Sequence, residues 1–252
     1  MGWRVALKAA LQSADERYLV VNKGGPTVKP MGEEHLAVLR RHMVEVIAIQ
    51  FDLMADEIGK EKVSERVAEA MRRVRRHLFV PAPLASIAYQ DSPLPIGFDK
   101  TISQPFISAL MTDLLDPEPQ NSVLEIGTGL GYQAAVLAEL ARQVWSVEIV
   151  EEFSSFAEDR LRALGYGNVA VRVGDGSKGW AEHAPFDRVL VTAAAKSPPR
   201  ALLEQLKPSG RLVMPLGPDE AQLLTVINKT ADGRIETRGT IPVRFSRLET
   251  GV

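Results

Sequence analysis

Cysteine is absent from this sequence of 252 residues. Its absence excludes disulfides, thiol nucleophiles and cysteine-ligated metal sites. Histidine is scarce, and the four that occur are too widely spaced to match a metal-ligand pattern: His35, His42, His77 and His183. We therefore expect no metal site.

Long apolar runs and an excess of one charge sign are also missing. No stretch of 18 apolar residues occurs, so no membrane span is expected, and a formal net charge of −2 gives no general affinity for nucleic acid. The N-terminal apolar runs are short and broken by charged residues such as Lys8 and Arg17, unlike a secretory signal. These features predict a cytoplasmic protein without nucleic-acid or membrane partners. No pattern indicates an oligomer, and a monomer is the default.

The first 34 residues differ in character from the rest of the chain. A short amphipathic run is followed by KGGPTVKPMG (23–32), where glycines and prolines interrupt any regular element. We therefore predict two parts, an N-terminal extension of unknown role over residues 1–34 and a catalytic domain over residues 35–252.

The spacing of apolar residues predicts two helices first, followed by a long alternation of strands and helices. Apolar residues at three- and four-residue steps predict helices at 35–58 and 63–78, with the arginines Arg72, Arg73, Arg75 and Arg76 on a solvated face of the second. Further helices are predicted at 106–115, 132–141, 151–164 and 198–206. Strands are predicted at 122–127, 143–149, 168–173, 186–195 and 210–216, and in 221–230 and 234–245 around a turn at 231–233.

Strands that alternate with helices indicate a mostly parallel sheet covered on both faces. The last two strands have no helix between them and are expected to pair antiparallel at an edge. The fold class predicted is thus α/β, a doubly wound sheet of the Rossmann-like type with an antiparallel edge and additional N-terminal helices.

The segment VLEIGTGLGY (123–132) is the most informative in the chain. A buried strand runs directly into Gly127, Gly129 and Gly131, and a helix follows. In an open α/β sheet, ligands bind at the carboxyl ends of the strands. The spacing differs from the G-x-G-x-x-G of dinucleotide sites, and Glu125 precedes the first glycine. A carboxylate there suits a cationic ligand better than a pyrophosphate, which favours S-adenosylmethionine over NAD.

Two further acidic positions follow the next two strands. Glu148 ends one of them, about twenty residues after the glycine loop, where a carboxylate can accept hydrogen bonds from ribose hydroxyls. Asp175 and Gly176 follow the other, at a place suited to an adenine amino group. Each feature alone is a common turn or helix cap, but the three in this order predict a cofactor site.

A proline- and glycine-rich block lies upstream of the glycine loop. It runs AYQDSPLPIGFDKTISQP (88–105) and leads into the helix at 106–115, so residues 101–104 are expected at a helix N-terminus. Free N–H groups with the hydroxyls of Thr101 and Ser103 would hold a carboxylate. Ser103 serving only as a helix cap explains the same residues equally well.

Three stretches carry a resemblance to a known family. The patterns YQDSPLPIG (89–97), TISQP (101–105) and VLEIGTGLGYQAAVLA (123–138) resemble the protein-L-isoaspartate O-methyltransferases, and shorter matches extend the likeness over residues 43–252. The resemblance implies methyl transfer from S-adenosylmethionine to the free α-carboxylate of L-isoaspartyl residues in damaged proteins. It puts the active-site serine at Ser103 and Gln104 beside the cofactor.

Two departures from the family pattern stand out. Members usually carry Gly-Gln before Thr-Ile-Ser, where this chain has Asp99 and Lys100, and residues 245–248 (FSRL) replace a frequent Val-Pro-Leu run. These departures leave open a carboxyl methyltransferase that acts on an aspartate of one dedicated peptide. The residues also allow a small-molecule or nucleic-acid methyltransferase, a non-catalytic binding module and an NAD-dependent reductase, but they favour each of these less.

Overall fold

The structure is a computed structural model that describes residues 31–251. Residues 1–30, most of the predicted extension, lie outside the described residues. Seven helices are named here: α1 Glu33–Leu53, α2 Ala55–Ile58, α3 Glu65–Arg73, α4 Pro105–Leu115, α5 Tyr132–Ala138, α6 Glu151–Ala163 and α7 Arg200–Glu204. Nine strands are named: β1 Leu94–Gly97, β2 Lys100–Ile102, β3 Ser122–Ile126, β4 Gln143–Glu148, β5 Val169–Val173, β6 Phe186–Val191, β7 Leu206–Leu216, β8 Gln222–Lys229 and β9 Ile235–Val243.

Seven strands form one sheet in the order β5-β4-β3-β6-β7-β8-β9. The pairs from β5 to β7 are parallel, and β8 and β9 extend the sheet antiparallel, which confirms the predicted fold class. Neighbouring residues of β3 enter different apolar clusters, Val123 with the helices α1 to α6 and Leu124 with α7. Both faces of the sheet are therefore covered.

The strand order reverses between β3 and β6, which lie side by side although two other strands separate them in the chain. The carboxyl ends of β3, β4 and β5 lie along one edge of the sheet, because these strands are parallel neighbours. A crevice opens at such a reversal point in α/β sheets. The glycine loop follows β3, Glu148 ends β4, and Asp175 follows β5.

The second predicted helix is shorter than its periodicity indicates. α3 ends at Arg73, Val74 is extended, and a 3₁₀ turn follows at Arg76–Phe79. The prediction of a solvated arginine face is wrong for Arg76, which is completely buried, whereas Arg73 and Arg75 are exposed. The helix ends early because Arg76 turns inward to donate a hydrogen bond to the carbonyl of Ala88 at 2.8 Å.

The proline-rich block contains a small hairpin that the sequence did not predict. β1 and β2 pair antiparallel around Phe98 and Asp99, whose φ angles are +50° and +56°. A two-residue turn with two positive φ angles matches the right-handed twist of its strands. Aspartate tolerates this conformation better than most residues, so Asp99 can occupy the turn.

Helices and strands elsewhere differ from prediction mainly at their ends. β6 ends at Val191 instead of residue 195, and β7 begins at Leu206 instead of residue 210. α7 is limited to Arg200–Glu204, because Pro199 before it is extended and β7 begins at Leu206 after it. None of the helices within residues 31–251 is long and apolar enough to cross a membrane.

Candidate active site

A cavity of about 540 Å³ opens at the carboxyl edge of the sheet. Its wall combines the glycine loop after β3, the end of β4, the proline-rich block and the segment after β9. The predicted site residues on this wall are Thr101, Ser103, Gln104, Gly127, Gly129, Glu148 and Gly176. The fold thus brings these seven predicted residues to one cavity, whereas the predicted residues Glu125, Gly131 and Asp175 do not line it.

The glycine loop lies against the cavity with a conformation that side chains rarely adopt. Gly127, Gly129 and Gly131 all have positive φ angles, of +93°, +54° and +93°. A Cβ atom on Gly127 would lie 2.3 Å from Oγ1 of Thr192, which in turn donates a hydrogen bond to the Gly127 carbonyl at 2.8 Å. Gly131 is the N-cap residue of α5. A Cβ atom there would lie 3.3 Å from the side chain of Leu161, so this glycine faces the core.

Glu148 is a buried carboxylate on the cavity wall. Its Oε2 atom accepts a hydrogen bond from the Gly129 N–H at 2.7 Å, and its Oε1 atom accepts one from the Val150 N–H at 3.0 Å. Burial raises the pKa of Glu148, while the N–H donors lower it. Each oxygen retains a lone pair for a further donor, such as a ligand hydroxyl.

Glu125 lies beneath the glycine loop and does not line the cavity. Its side chain is completely buried, and burial raises its pKa to about 8. It bonds to the hydroxyl of Ser146, which meets Thr128 at 2.6 Å, and its Oε1 atom has no partner within residues 31–251. At neutral pH this group is a neutral acid that supports the loop. Its direct contact with a cofactor stays a prediction.

Asp175 and Gly176 follow β5, as the sequence suggested. Asp175 accepts hydrogen bonds from the Ser177 N–H at 2.9 Å and from the Gly251 N–H at 3.0 Å. Burial acts against ionisation, but these donors outweigh it and lower the pKa of Asp175. Gly176 lines the cavity, and a Cβ atom there would lie 2.2 Å from a methyl group of Ile126.

The contacts around Ser103 show whether this serine caps α4 or is available to bind a carboxylate. Gln104 is the N-cap residue of α4, and Asp91, not Ser103, accepts the hydrogen bond from the Phe106 N–H at 2.8 Å. Asp91 also accepts from the Gln104 side chain at 3.1 Å. The Ser103 hydroxyl has no hydrogen bond within the described part of the chain and lines the cavity. It is therefore free to bind a ligand.

A C-terminal segment, residues 244–251, covers one side of the cavity. Its Leu248 N–H donates to the Ala194 carbonyl at 2.8 Å, and Glu249 forms an ion pair with Lys100 at 2.5 Å. Lys100 is one of the two residues at which the chain departs from the family pattern. Sequence reasoning did not place this segment at the site, although it noted residues 245–248 as a departure from the family pattern.

Several lining residues were also missed, among them Thr128, Gln133 and Thr192. Thr128 lies within the glycine loop itself, whereas Gln133 and Thr192 carry no distinctive sequence pattern and reach the cavity because their elements converge there. Within residues 31–251, no group of three or more histidine, aspartate or glutamate side chains is arranged to hold a metal ion. The site as described offers carboxylates, hydroxyls and backbone N–H groups.

Comparison with known proteins gives consistent matches over most of the chain. The family model for protein-L-isoaspartate(D-aspartate) O-methyltransferase (PCMT) matches residues 50–251. A protein-L-isoaspartate O-methyltransferase 1 from Polaromonas sp. is 50% identical over 224 residues, which cover 89% of this chain and 95% of that protein. A protein-L-isoaspartate O-methyltransferase 2 from Syntrophobacter fumaroxidans is 51% identical and covers 84% of this chain and 86% of its own.

Solved structures agree with these matches. A protein-L-isoaspartate O-methyltransferase structure superimposes with a TM-score of 0.72 at 28% identity, covering 83% of this chain and 66% of that chain. A Plasmodium falciparum structure in complex with S-adenosyl-L-homocysteine has the same fold, with a TM-score of 0.68 at 22% identity over 84% of this chain and 99% of its own. From the family model and the relatives at half identity, the chain belongs to the protein-L-isoaspartate O-methyltransferase family.

Proposed function

We propose that the protein transfers a methyl group from S-adenosylmethionine to the free α-carboxylate of L-isoaspartyl residues in damaged proteins and peptides, and so initiates their repair. One observation carries the proposal. The hydroxyl of Ser103, which has no hydrogen-bond partner within the described residues, lines the same cavity as the glycine loop and the buried Glu148 carboxylate. Family membership supports the same reaction.

The cavity fits S-adenosylmethionine, which supplies an electrophilic methyl group on a sulfonium. At Gly127 and Gly129 the backbone itself forms the cavity wall, where a side chain would reduce the space for a ligand. The cavity volume of about 540 Å³ is in the range of small-molecule sites. We assign the ribose hydroxyls to Glu148, and the adenine end to the region of Asp175 and Gly176. Gln104 and the glycine loop would border the remainder.

The proposed acceptor needs no general base. An α-carboxylate has a pKa of about 3.5 and is ionised at neutral pH. No histidine lines the cavity within the described residues, which suits such an acceptor. The work of the site is to hold one carboxylate oxygen in line for attack. Neutral donors at Thr101 and Ser103 fit this task, because the negative charge disappears as the ester forms and a strong cationic clamp would favour the ground state.

We further propose that residues 35–252 make up the catalytic domain and that residues 1–34 form an extension outside it. The family match begins at residue 50, and α1 begins at Glu33, close to the proposed boundary. Cytoplasmic location, a monomeric state, and the absence of nucleic-acid and membrane partners belong to the same proposal. They rest on the charge balance and on the composition of the sequence.

The departure at Asp99 and Lys100 does not favour a dedicated peptide substrate. Asp99 occupies a turn position that tolerates aspartate, and Lys100 pairs with Glu249 across the cavity. Both residues thus have structural roles within the protein, and neither requires a dedicated peptide substrate. The general repair reaction remains the better explanation of the site.

Two synthetic peptides that differ only in L-isoaspartate or L-aspartate at one position test the proposal. With labelled S-adenosylmethionine, we expect label in the isoaspartyl peptide alone. Label in the aspartyl peptide of one particular sequence would favour the dedicated enzyme. Absence of label in a broad panel of isoaspartyl peptides, with the cofactor bound, would refute the repair function.

A further inference from the structure

Arg76 is a completely buried cation next to the candidate active site, yet it does not line the cavity. Its Nε atom donates to the Ala88 carbonyl at 2.8 Å and its Nη2 atom donates to the Ser103 carbonyl at 2.7 Å. The guanidinium carbon lies 4.8 Å from the ring centroid of Tyr132. One side chain therefore touches both ends of the proline-rich block and the first residue of α5.

These three contacts connect the two halves of the site. Ser103 is the proposed acceptor-binding residue, and Tyr132 directly follows the glycine loop and lines the same cavity. A rigid planar group that binds a carbonyl on one side and an aromatic face on the other fixes their separation. β2 pairs only with β1 within the described residues and is not hydrogen-bonded to the seven-stranded sheet from which the glycine loop and α5 extend.

Arg76 also has no carboxylate at ion-pair distance within residues 31–251, although the charge of Asp91 acts favourably on it from farther away. Its Nη1 atom has no hydrogen-bond partner there. A buried, unpaired guanidinium is unfavourable for stability compared with an apolar residue of similar size. A positional role for the side chain explains why the fold nevertheless contains it.

We propose that Arg76 is a positioning residue for methyl transfer, which holds the Ser103 backbone at a fixed distance from the glycine loop. This inference rests on the proposed function for its catalytic consequence. The charge itself is directed at two carbonyl groups and a ring. It therefore does not bind the acceptor carboxylate, and Arg76 acts through Ser103.

Two variants at neighbouring positions test the inference. Arg76→Lys keeps the charge but loses the planar fork, so it cannot hold both carbonyls and the ring together. Arg75→Lys is the matched control, because Arg75 is exposed and adjacent in the chain. Arg76→Gln replaces Arg76→Lys if the latter does not unfold cooperatively.

The first readout is amide hydrogen exchange, which is independent of activity. We expect faster exchange in residues 101–106 of Arg76→Lys and unchanged exchange in Arg75→Lys, because the loss of the fork loosens the Ser103 segment. Unchanged exchange in this segment, or an equal increase over the whole sheet, would overturn the inference. This result stands whether or not the isoaspartyl peptide is the acceptor.

The second readout is the single-turnover rate with a saturating isoaspartyl peptide and S-adenosylmethionine. We expect Arg76→Lys to lower the rate about tenfold to a hundredfold, since small misplacements of reacting groups have effects of this size. The dissociation constant of the cofactor should stay within about twofold of wild type. A wild-type rate in Arg76→Lys would contradict the inference, whereas an inactive wild type would contradict the proposed function instead.

Discussion

Glu125 shows how far the chemistry of one residue depends on its surroundings. From the sequence, this acid two positions before Gly127 is a carboxylate that attracts a cationic ligand. The structure encloses it completely, and burial raises its pKa to about 8. Its hydrogen bond to Ser146 joins β3 to β4 under the glycine loop. The acid thus supports the loop as a neutral group at neutral pH.

A buried acid of this kind makes stability depend on pH. Because the folded-state pKa of Glu125 lies above the ordinary value of 4.5, its contribution is most favourable below that value and is lost as the pH rises to about 8. We expect the free energy of unfolding of Glu125→Gln to improve relative to wild type over this interval, by up to about 1.4 kcal/mol per pH unit. Chemical denaturation at pH 5, 6, 7 and 8, as chosen set points, measures it.

Glu158→Gln is the control for this prediction, because Glu158 is exposed on α6, where it pairs with Arg162. Its difference from wild type should stay flat over the same pH range. If the free energies of unfolding of wild type and Glu125→Gln change with pH in parallel, this would contradict the conclusion that burial raises the pKa of Glu125.

Ser103 lies on the cavity wall with no hydrogen bond from its hydroxyl within the described residues. We expect Ser103→Ala to lower the single-turnover rate about tenfold to a hundredfold, because the acceptor carboxylate loses a positioning donor. Cofactor affinity, measured by calorimetry, should change little. Ser92→Ala is the control, since Ser92 belongs to the same block but lies off the cavity wall. An unchanged rate in Ser103→Ala would remove this residue from the mechanism.

The C-terminal segment is the element that contributes most to the site without a sequence signal of its own. It follows an edge strand, β9, and returns along Ala194 to contact both Lys100 and Asp175. Its contacts thus span the acceptor side and the cofactor side of the cavity. We therefore expect an exchanging cofactor to pass beside this segment.

The Lys100–Glu249 ion pair gives a measurable expectation for this segment. Both side chains are partly exposed, so the pair contributes about 0.2 to 1 kcal/mol. We expect Lys100→Gln to speed dissociation of S-adenosylhomocysteine up to about fivefold, and salt to speed it in wild type more than in the variant. Stopped-flow dissociation at low and high salt measures both.

The reversed pair, Lys100→Glu with Glu249→Lys, should restore slow dissociation if the ion pair itself is responsible. Arg162→Gln, on the outer face of α6, is the control and should leave the rate unchanged. Equal rates in wild type and Lys100→Gln would show that the segment does not restrict exchange.

Local patterns were enough to predict which strand ends border the cavity. The run from β3 into Gly127, the acid at the end of β4 and the acid after β5 are contiguous signals, because parallel neighbours end at one edge of the sheet. Contacts between distant segments were not predictable in the same way. Arg76 lies among arginines that share a helical pattern, and only its contacts with Ala88 and Ser103 explain its burial.

The hairpin β1–β2 illustrates the same limit at the level of an element. Its strands are short and rich in proline, and their turn uses Phe98 and Asp99 in place of the usual glycine. The cover formed by residues 244–251 depends on pairing with Ala194 and on an ion pair across the cavity. Neither arrangement has a periodicity that a sequence pattern reveals.

At the scale of the whole molecule, we propose that one sheet edge serves two binding tasks. The reversal between β3 and β6 provides the crevice. We assign its cofactor side to the glycine loop and Glu148, and its acceptor side to the block before α4, all of which line one cavity. The predicted fold class and family are confirmed. The proposed function requires, in addition, that the methyl group is transferred to one particular atom of the acceptor, an oxygen of its α-carboxylate.

The most direct test locates the methyl group in the product by mass spectrometry after reaction with an isoaspartyl peptide. We expect one methyl ester on the α-carboxylate of the isoaspartyl residue, and no transfer to a matched peptide in which that carboxylate is a carboxamide. Methylation of the carboxamide peptide, or of any other group, would contradict the proposed reaction.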